Sequence, residues 1–275
     1  MSDSLYAAWI GRSEQSTEQL SAGLVKRLAA TLGETPPMAG QELPPLWHWI
    51  FFQPTVAEDE LGVDGHPARS EILPPAGNRN RMWAGGRVEF HEALRVDGEA
   101  TRITTVLDVQ EKNGRSGSLL FVTLRHEYLQ DGRLAIDEEQ DIVYREPTPP
   151  KLTTGEAMPT ADWREEIEPG PTLLFRYSAV TFNGHRIHYD WPYVTESEGY
   201  PGLVVHGPLI ATLNVRAFRL AHPHARVRRF EYRGIRPLIS PQPFTVGGRI
   251  VAPDRAELWA GNDAGMAQRA ELTFD

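Results

Sequence analysis

A proline-punctuated stretch near the middle of the chain constrains its fold more than any other feature. Residues 147–171 hold Pro147, Pro149, Pro150, Pro159, Pro169 and Pro171. Each proline fixes φ and removes a backbone donor, so neither a helix nor a central strand is expected there. The stretch is read as a linker at 147–171 between an N-terminal half, 1–146, and a C-terminal half, 172–275. A chain of 275 residues can form one large core or two packed halves, and the linker favours two.

Both halves end in a strand-rich pattern. The first opens with an expected helix at 17–32, where Leu20, Leu24, Leu28 and Leu32 share one face. Strands are expected from Val88, over 101–110, over 119–128 and over 134–144. Asn113-Gly114 and Asp131-Gly132 serve as turns, and Gly85-Gly86 as a bend. In the second half, strands are expected at 228–235, 244–251, 256–260 and 267–274. A helix at 208–220 precedes them, with Leu209, Ile210, Leu213, Ala217 and Leu220 on a broad apolar face and Pro208 at its first position. These elements build an α+β layout in which an antiparallel sheet wraps a buried helix.

Composition removes several functional classes. Cysteine is absent, which excludes disulfides, thiolate nucleophiles and cysteine-based zinc sites. A formal charge of −9 without a long Lys/Arg block argues against nucleic acid as a partner. No stretch approaches a membrane span. Residues 1–9 lack the charged start and apolar run of a secretory signal. A cytoplasmic protein is therefore expected. No Gly-x-Ser-x-Gly elbow is present, and nothing marks Ser178 as a nucleophile.

The chemistry-bearing stretch runs from Phe175 to Asp190 and contains Asn183, Gly184, His185, Arg186, Ile187, His188, Tyr189 and Asp190. It is read as a loop between a strand and a helix. Pro201-Gly-Leu-Val-Val-His206-Gly207-Pro208 follows, immediately before the helix. The pair resembles the MaoC-like, (R)-specific enoyl-CoA hydratases of hot-dog fold, especially their two-domain, fungal-dehydratase-like branch. Met82-Trp83-Ala84-Gly85-Gly86 is similar to that branch too. The resemblance spans roughly residues 40–275, with specific motifs at about thirty positions. It implies a double hot dog: two antiparallel sheets forming a pseudo-dimer, with a central helix in the C-terminal half and a motif-poor, pocket-shaping N-terminal half.

It also implies roles. The family's catalytic His falls on His188 and its helix-start His-Gly on His206-Gly207. Its catalytic Asp falls on Asn183, a departure, because an amide is no base at neutral pH. Hydration of an enoyl thioester needs a base for water, a proton for the α-carbon and a donor for the enolate-like oxygen. An imidazole suits the proton transfer. A backbone N–H at a helix N-terminus suits the oxyanion, and since Pro208 has none, Gly207 is the expected donor. Asn183 is expected to orient the water. His185, Tyr189 and Asp190 are candidates for a second proton-transfer group, and Tyr189, Asp190, His206, Arg79 and Arg81 for substrate contacts.

The implied reaction is reversible hydration of a short acyl-CoA, with coenzyme A entering as part of the substrate. No cofactor and no metal are expected: His185-x-x-His188 with Asp190 is only loosely ligand-like. Two-domain relatives acting on mesaconyl-CoA and itaconyl-CoA suggest a branched dicarboxylic acyl group, for which Arg79 and Arg81 would suit the distal carboxylate. A straight-chain (R)-3-hydroxyacyl thioester dehydratase, an acyl-CoA thioesterase and a non-catalytic acyl-CoA-binding protein remain as alternatives. A homodimer is compatible with the pattern. Trp47, His48 and Trp49 are read as core, and Arg226, Arg228 and Arg229 as strand-edge charges rather than ligands of CoA phosphates.

Overall fold

The computed structural model describes residues 6–275 except 78, 115, 116, 148, 149, 151 and 153. Pro149 and the tip of the turn after Asn113-Gly114 thus lie outside the described residues.

The first half holds β1 (Ser13–Gln19), α1 (Ala22–Leu32), β2 (Asn80–Phe90), β3 (Glu99–Gly114), β4 (Gly117–Gln130) and β5 (Arg133–Arg145). The second holds β6 (Trp163–Ile167), α2 (Pro171–Val180), α3 (Gly207–Ala221), β7 (Val227–Gly234), β8 (Phe244–Ala252), β9 (Arg255–Asn262) and β10 (Gly265–Phe274). All pairings are antiparallel. The strands run β1-β3-β4-β5-β2-β7-β10-β9-β8-β6 in one ten-stranded sheet. Read outward from the central β2–β7 seam, the two halves have the same order. The two expected sheets therefore exist as five-stranded halves joined edge to edge, with Gly85 opposite Arg233 and Glu89 opposite Arg229.

Four local expectations are corrected. The helix expected from residue 17 begins at Ala22, capped by the Ser21 hydroxyl, and ends at Gly33 in the left-handed region. The residues before it are the edge strand β1, whose Thr17 and Thr101 hydroxyls lie 3.0 Å apart. Gly85-Gly86 is not a bend but lies inside β2, beside a bulge. A Cβ on Gly85 would stand 2.4 Å from the Tyr232 carbonyl oxygen, and one on Gly86 2.7 Å from that of Glu139. The paired glycines thus let the seam close. The linker carries β6, whose outer edge has no strand partner among the described residues and so tolerates the prolines around it. Residues 171–180, expected to lead into the loop as a strand, form α2 with Pro171 at its start.

α3 is buried nearly all round, from Leu209 through Phe218, and packs against β6, β8, β9 and β10. α1 packs on α2 and on a 3-10 turn at Trp47–Ile50. Among the described residues, no helix of α3's length belongs to the first half. A cleft of about 1840 Å³ opens instead, lined by both halves. No helix is long and apolar enough to cross a membrane.

Candidate active site

The loop between α2 and α3 is held by its own polar groups. Phe182 adopts a left-handed φ of 47°, which turns the chain so that Asn183 N–H donates to the Ser178 carbonyl at 2.8 Å. The Asn183 side-chain oxygen then accepts from His185 N–H at 3.0 Å, an Asx turn that leaves the amide nitrogen for the cleft. A 3-10 turn over Arg186–His188 follows. Tyr189 OH closes the loop by donating to the Gly184 carbonyl at 2.9 Å.

His188 sits at the centre. Its Nδ1 lies 2.7 Å from the Val204 carbonyl oxygen. A carbonyl only accepts, so Nδ1 carries the proton and the neutral ring presents its Nε2 lone pair. Nε2 has no partner among the described residues, and His188 lines the cleft. Burial pushes its pKa down to about 4, so the ring is a free base at neutral pH. Beneath it His206 stacks at 3.6 Å between centroids, and His206 Nε2 lies 2.8 Å from Ser178 Oγ. Ser178 thus fixes the buried His206 imidazole.

α3 begins at Gly207, directly after His206. The first N–H groups of a helix have no intrahelical acceptor, and the dipole there favours negative charge. A Cβ on Gly207 would meet nothing within 4 Å, so a thioester oxygen can approach this backbone. The turn is steadied by Gln268, which donates to the Gly207 carbonyl at 3.1 Å and accepts from Asn214 at 3.1 Å. The expected trio of Asn183, His188 and Gly207 therefore borders one cleft.

Other expected residues fare differently. His185 and Tyr189 line the cleft. His206 is wholly buried under His188 and supports that ring rather than touching substrate. Asp190 is turned away: it pairs with Arg186 at 2.7 Å and accepts from Tyr193 N–H. It is not among the residues that line the cleft. Arg79 is likewise engaged, with Glu111 and Ser118. Arg81 lines the cleft half-buried, and its guanidinium has no ion-pair or hydrogen-bond partner among the described residues.

Sequence reading missed a strap from the first half. Arg186 N–H donates to the Asp64 carbonyl and its guanidinium to the Val63 carbonyl, both at 2.9 Å. Gly65 and Gly184 meet so closely that a Cβ on Gly65 would overlap the Gly184 carbonyl. This contact brings His66, with Asp64 2.9 Å from its Nδ1, to a centroid distance of 4.3 Å from His185. Burial lowers the His66 pKa, only partly offset by Asp64. Burial raises that of Asp64, but its bonds to His66 outweigh this and hold it below the usual value. Asp64, His66 and His185 offer ligand atoms within 4.8 Å of one another. Both Asp64 oxygens already accept from His66, and the Arg81 charge bears on both imidazoles. The trio is thus an Asp–His pair beside a second imidazole. The only sequence signal was Asp-Gly-His, too short to distinguish from a polar turn.

The first half contributes a second buried polar group. Glu138 accepts from Trp49 Nε1 at 2.9 Å, lies 3.0 Å from His48 Nε2, and accepts from Tyr128 OH at 3.3 Å. Trp47 is core, as expected, whereas His48 and Trp49 hold this carboxylate. His126 is bounded by Thr104 at 2.8 Å and Gln140 at 3.0 Å.

Comparison with known proteins bears directly on this geometry. Residues 46–240 match the family model for hydroxyacyl-thioester dehydratase type 2. The chain is 44% identical, over 99% of both chains, to mesaconyl-C(4)-CoA hydratase of Chloroflexus aurantiacus. Its fold matches the crystal structure of HtdX of Mycobacterium tuberculosis with a TM-score of 0.70 at 17% identity, covering 95% of this chain and 99% of that one. A second M. tuberculosis protein, described as a double hot dog, matches with a TM-score of 0.58 at 14% identity over 97% and 96% of the two chains. The chain belongs to the hydroxyacyl-thioester dehydratase type 2 family and is a double hot-dog enzyme of the hydratase/dehydratase class.

Proposed function

We propose that the enzyme reversibly hydrates a short, branched dicarboxylic enoyl-CoA of the mesaconyl-CoA or itaconyl-CoA type. The observation that carries the substrate class is Arg81, a cation with no ion-pair partner among the described residues, in the cleft that holds the His188 base. A half-buried guanidinium facing a cleft presents a planar fork of donors that a carboxylate matches. The mesaconyl-C(4)-CoA hydratase relative supports the same class.

In the hydration direction His188 Nε2 takes a proton from water as oxygen bonds to the β-carbon. The π electrons move toward the thioester oxygen, where Gly207 N–H receives the charge. A donor of this kind contributes about 3–4 kcal/mol to the transition state. Asn183 uses its free amide nitrogen to hold the attacking water. The reaction is redox-neutral, so the proposal includes no metal or redox cofactor; coenzyme A enters only as part of the substrate.

The test follows enoyl-thioester absorbance with crotonyl-, mesaconyl- and itaconyl-CoA in parallel, together with free CoA. Fastest loss with a dicarboxylic substrate and no CoA release is expected. Preference for crotonyl-CoA would overturn the dicarboxylic class, CoA release would indicate a thioesterase, and binding without turnover would make the chain a thioester-binding protein.

A further inference from the structure

Asn183 leaves the site one proton-transfer group short on the loop itself, and Asp190 is engaged elsewhere. The structure supplies a replacement from the other half of the chain. We propose that His66, oriented by Asp64, is the acid–base group at the substrate's α-carbon, partnering His188 at the β-carbon. The proposal rests on the hydratase reading and deepens it.

Three observations converge. Asp64 accepts at His66 Nδ1, 2.9 Å away, which leaves the lone pair on Nε2, and His66 lines the same cleft as His188. A carboxylate on the far nitrogen holds an imidazole in one orientation and stabilises its protonated form. The strap is clamped to the loop through backbone, by the Arg186 N–H to the Asp64 carbonyl and the Gly65–Gly184 contact. His66 therefore has a fixed place relative to His188 although the two are far apart in sequence. Finally, His185 lies between them, 4.3 Å from His66 and 5.4 Å from His188 by ring centroid. It is nine-tenths buried, and its ring nitrogens have no hydrogen-bond partner among the described residues.

The step balances without an outside reagent. Water gives a proton to His188 Nε2 while its oxygen forms the bond to the β-carbon and the π pair moves into the enolate. The proton passes by way of His185 to His66 Nε2, making an imidazolium whose charge Asp64 balances. His66 then returns it to the α-carbon, and the enolate pair becomes the new C–H bond. Dehydration runs the same path backwards. Asp64 is a positioning residue: it does not touch the substrate.

The experiment separates the two ends of the reaction by incubating the purified hydrated thioester in D2O and following α-hydrogen exchange by NMR. In the His188→Ala variant dehydration is lost but α-exchange persists. In the His66→Gln variant both fall at least about 100-fold, the usual weight of a general acid–base group, with the melting temperature unchanged. Asp64→Asn lowers kcat more than it changes KM and shifts the pH profile, and Asp64→Glu restores part of the loss. The proposal is overturned if wild type hydrates enoyl-CoA and His66→Gln does so at more than a tenth of its rate, or if His188→Ala removes exchange while His66→Gln keeps it. A wild-type enzyme that hydrates nothing would instead sink the hydratase reading.

Discussion

The two halves share a strand order but use their concave faces in opposite ways. The second half fills its face with α3 and gives the N-terminus of that helix to the site. Among the described residues, the first half lays no helix of that length on its sheet, and the space is a cleft floored by polar side chains. His126 and His188 show the difference at single residues. Burial pushes both pKa values down to about 4. His126 has both ring nitrogens bound, to Thr104 and Gln140, whereas His188 has one bound and one open to the cleft. Depressed basicity alone therefore does not mark a catalytic imidazole; the unengaged nitrogen does.

Breaking this comparison calls first for His188→Ala. A loss of about 10³–10⁴-fold in kcat with an almost unchanged melting temperature is expected. His126→Ala should lower stability more than turnover, and the reverse pattern would end the distinction. Next in size is Glu138→Ala, which leaves His48 and Trp49 without their shared buried acceptor. About 3–5 kcal/mol of stability should go, read by urea denaturation.

The third test is pH. His188 and His126 have folded pKa values below the ordinary 6.5, so the unfolded chain binds more protons between about pH 6.5 and 4. Their contribution is complete above pH 6.5 and lost as pH falls toward 4, on the order of 3 kcal/mol for each. Urea midpoints should drop between pH 7 and 5, and His126→Gln should flatten the drop. A flat wild-type profile would contradict the neutral, buried state of both rings.

The smallest effect sharpens the comparison at the cleft mouth. Arg81→Gln should raise KM for a dicarboxylic thioester about 10–100-fold, the weight of one bidentate charge pair, and leave crotonyl-CoA alone. Arg79→Gln, whose cation is already paired, should change KM less than about twofold. Equal effects would remove Arg81 as the carboxylate ligand.

Most strands of both halves and α3 were readable because their buried and exposed residues alternate or repeat at helical spacing. Turn pairs such as Asp131-Gly132 fixed their ends. β1 and β6 were not: edge strands need little apolar patterning, and Ser13–Gln19 is mostly exposed. α2 was misread because Phe175, apolar in sequence, is an exposed helical residue. At the site, Asn183 and His188 lie in one short stretch and Gly207 in a second, and the family resemblance singles out both. His66 was not legible, since only the tertiary contact between Gly65 and Gly184 brings it across. The engagement of Arg79 and Asp190, against the freedom of Arg81, likewise depends on partners that sequence spacing does not reveal.

The β2–β7 seam carries a consequence of another kind. Two identical subunits joined at such an edge must keep every substitution twice, so a helix deleted to widen one pocket would vanish from both. Covalent fusion lifts that symmetry. One copy can lose its helix and acquire a buried carboxylate while its sibling keeps the loop and the oxyanion helix, and the Gly85–Gly86 ladder holds the divergent copies in register. The seam thus joins two copies of one strand order that are free to differ, which is what a division of labour between them requires.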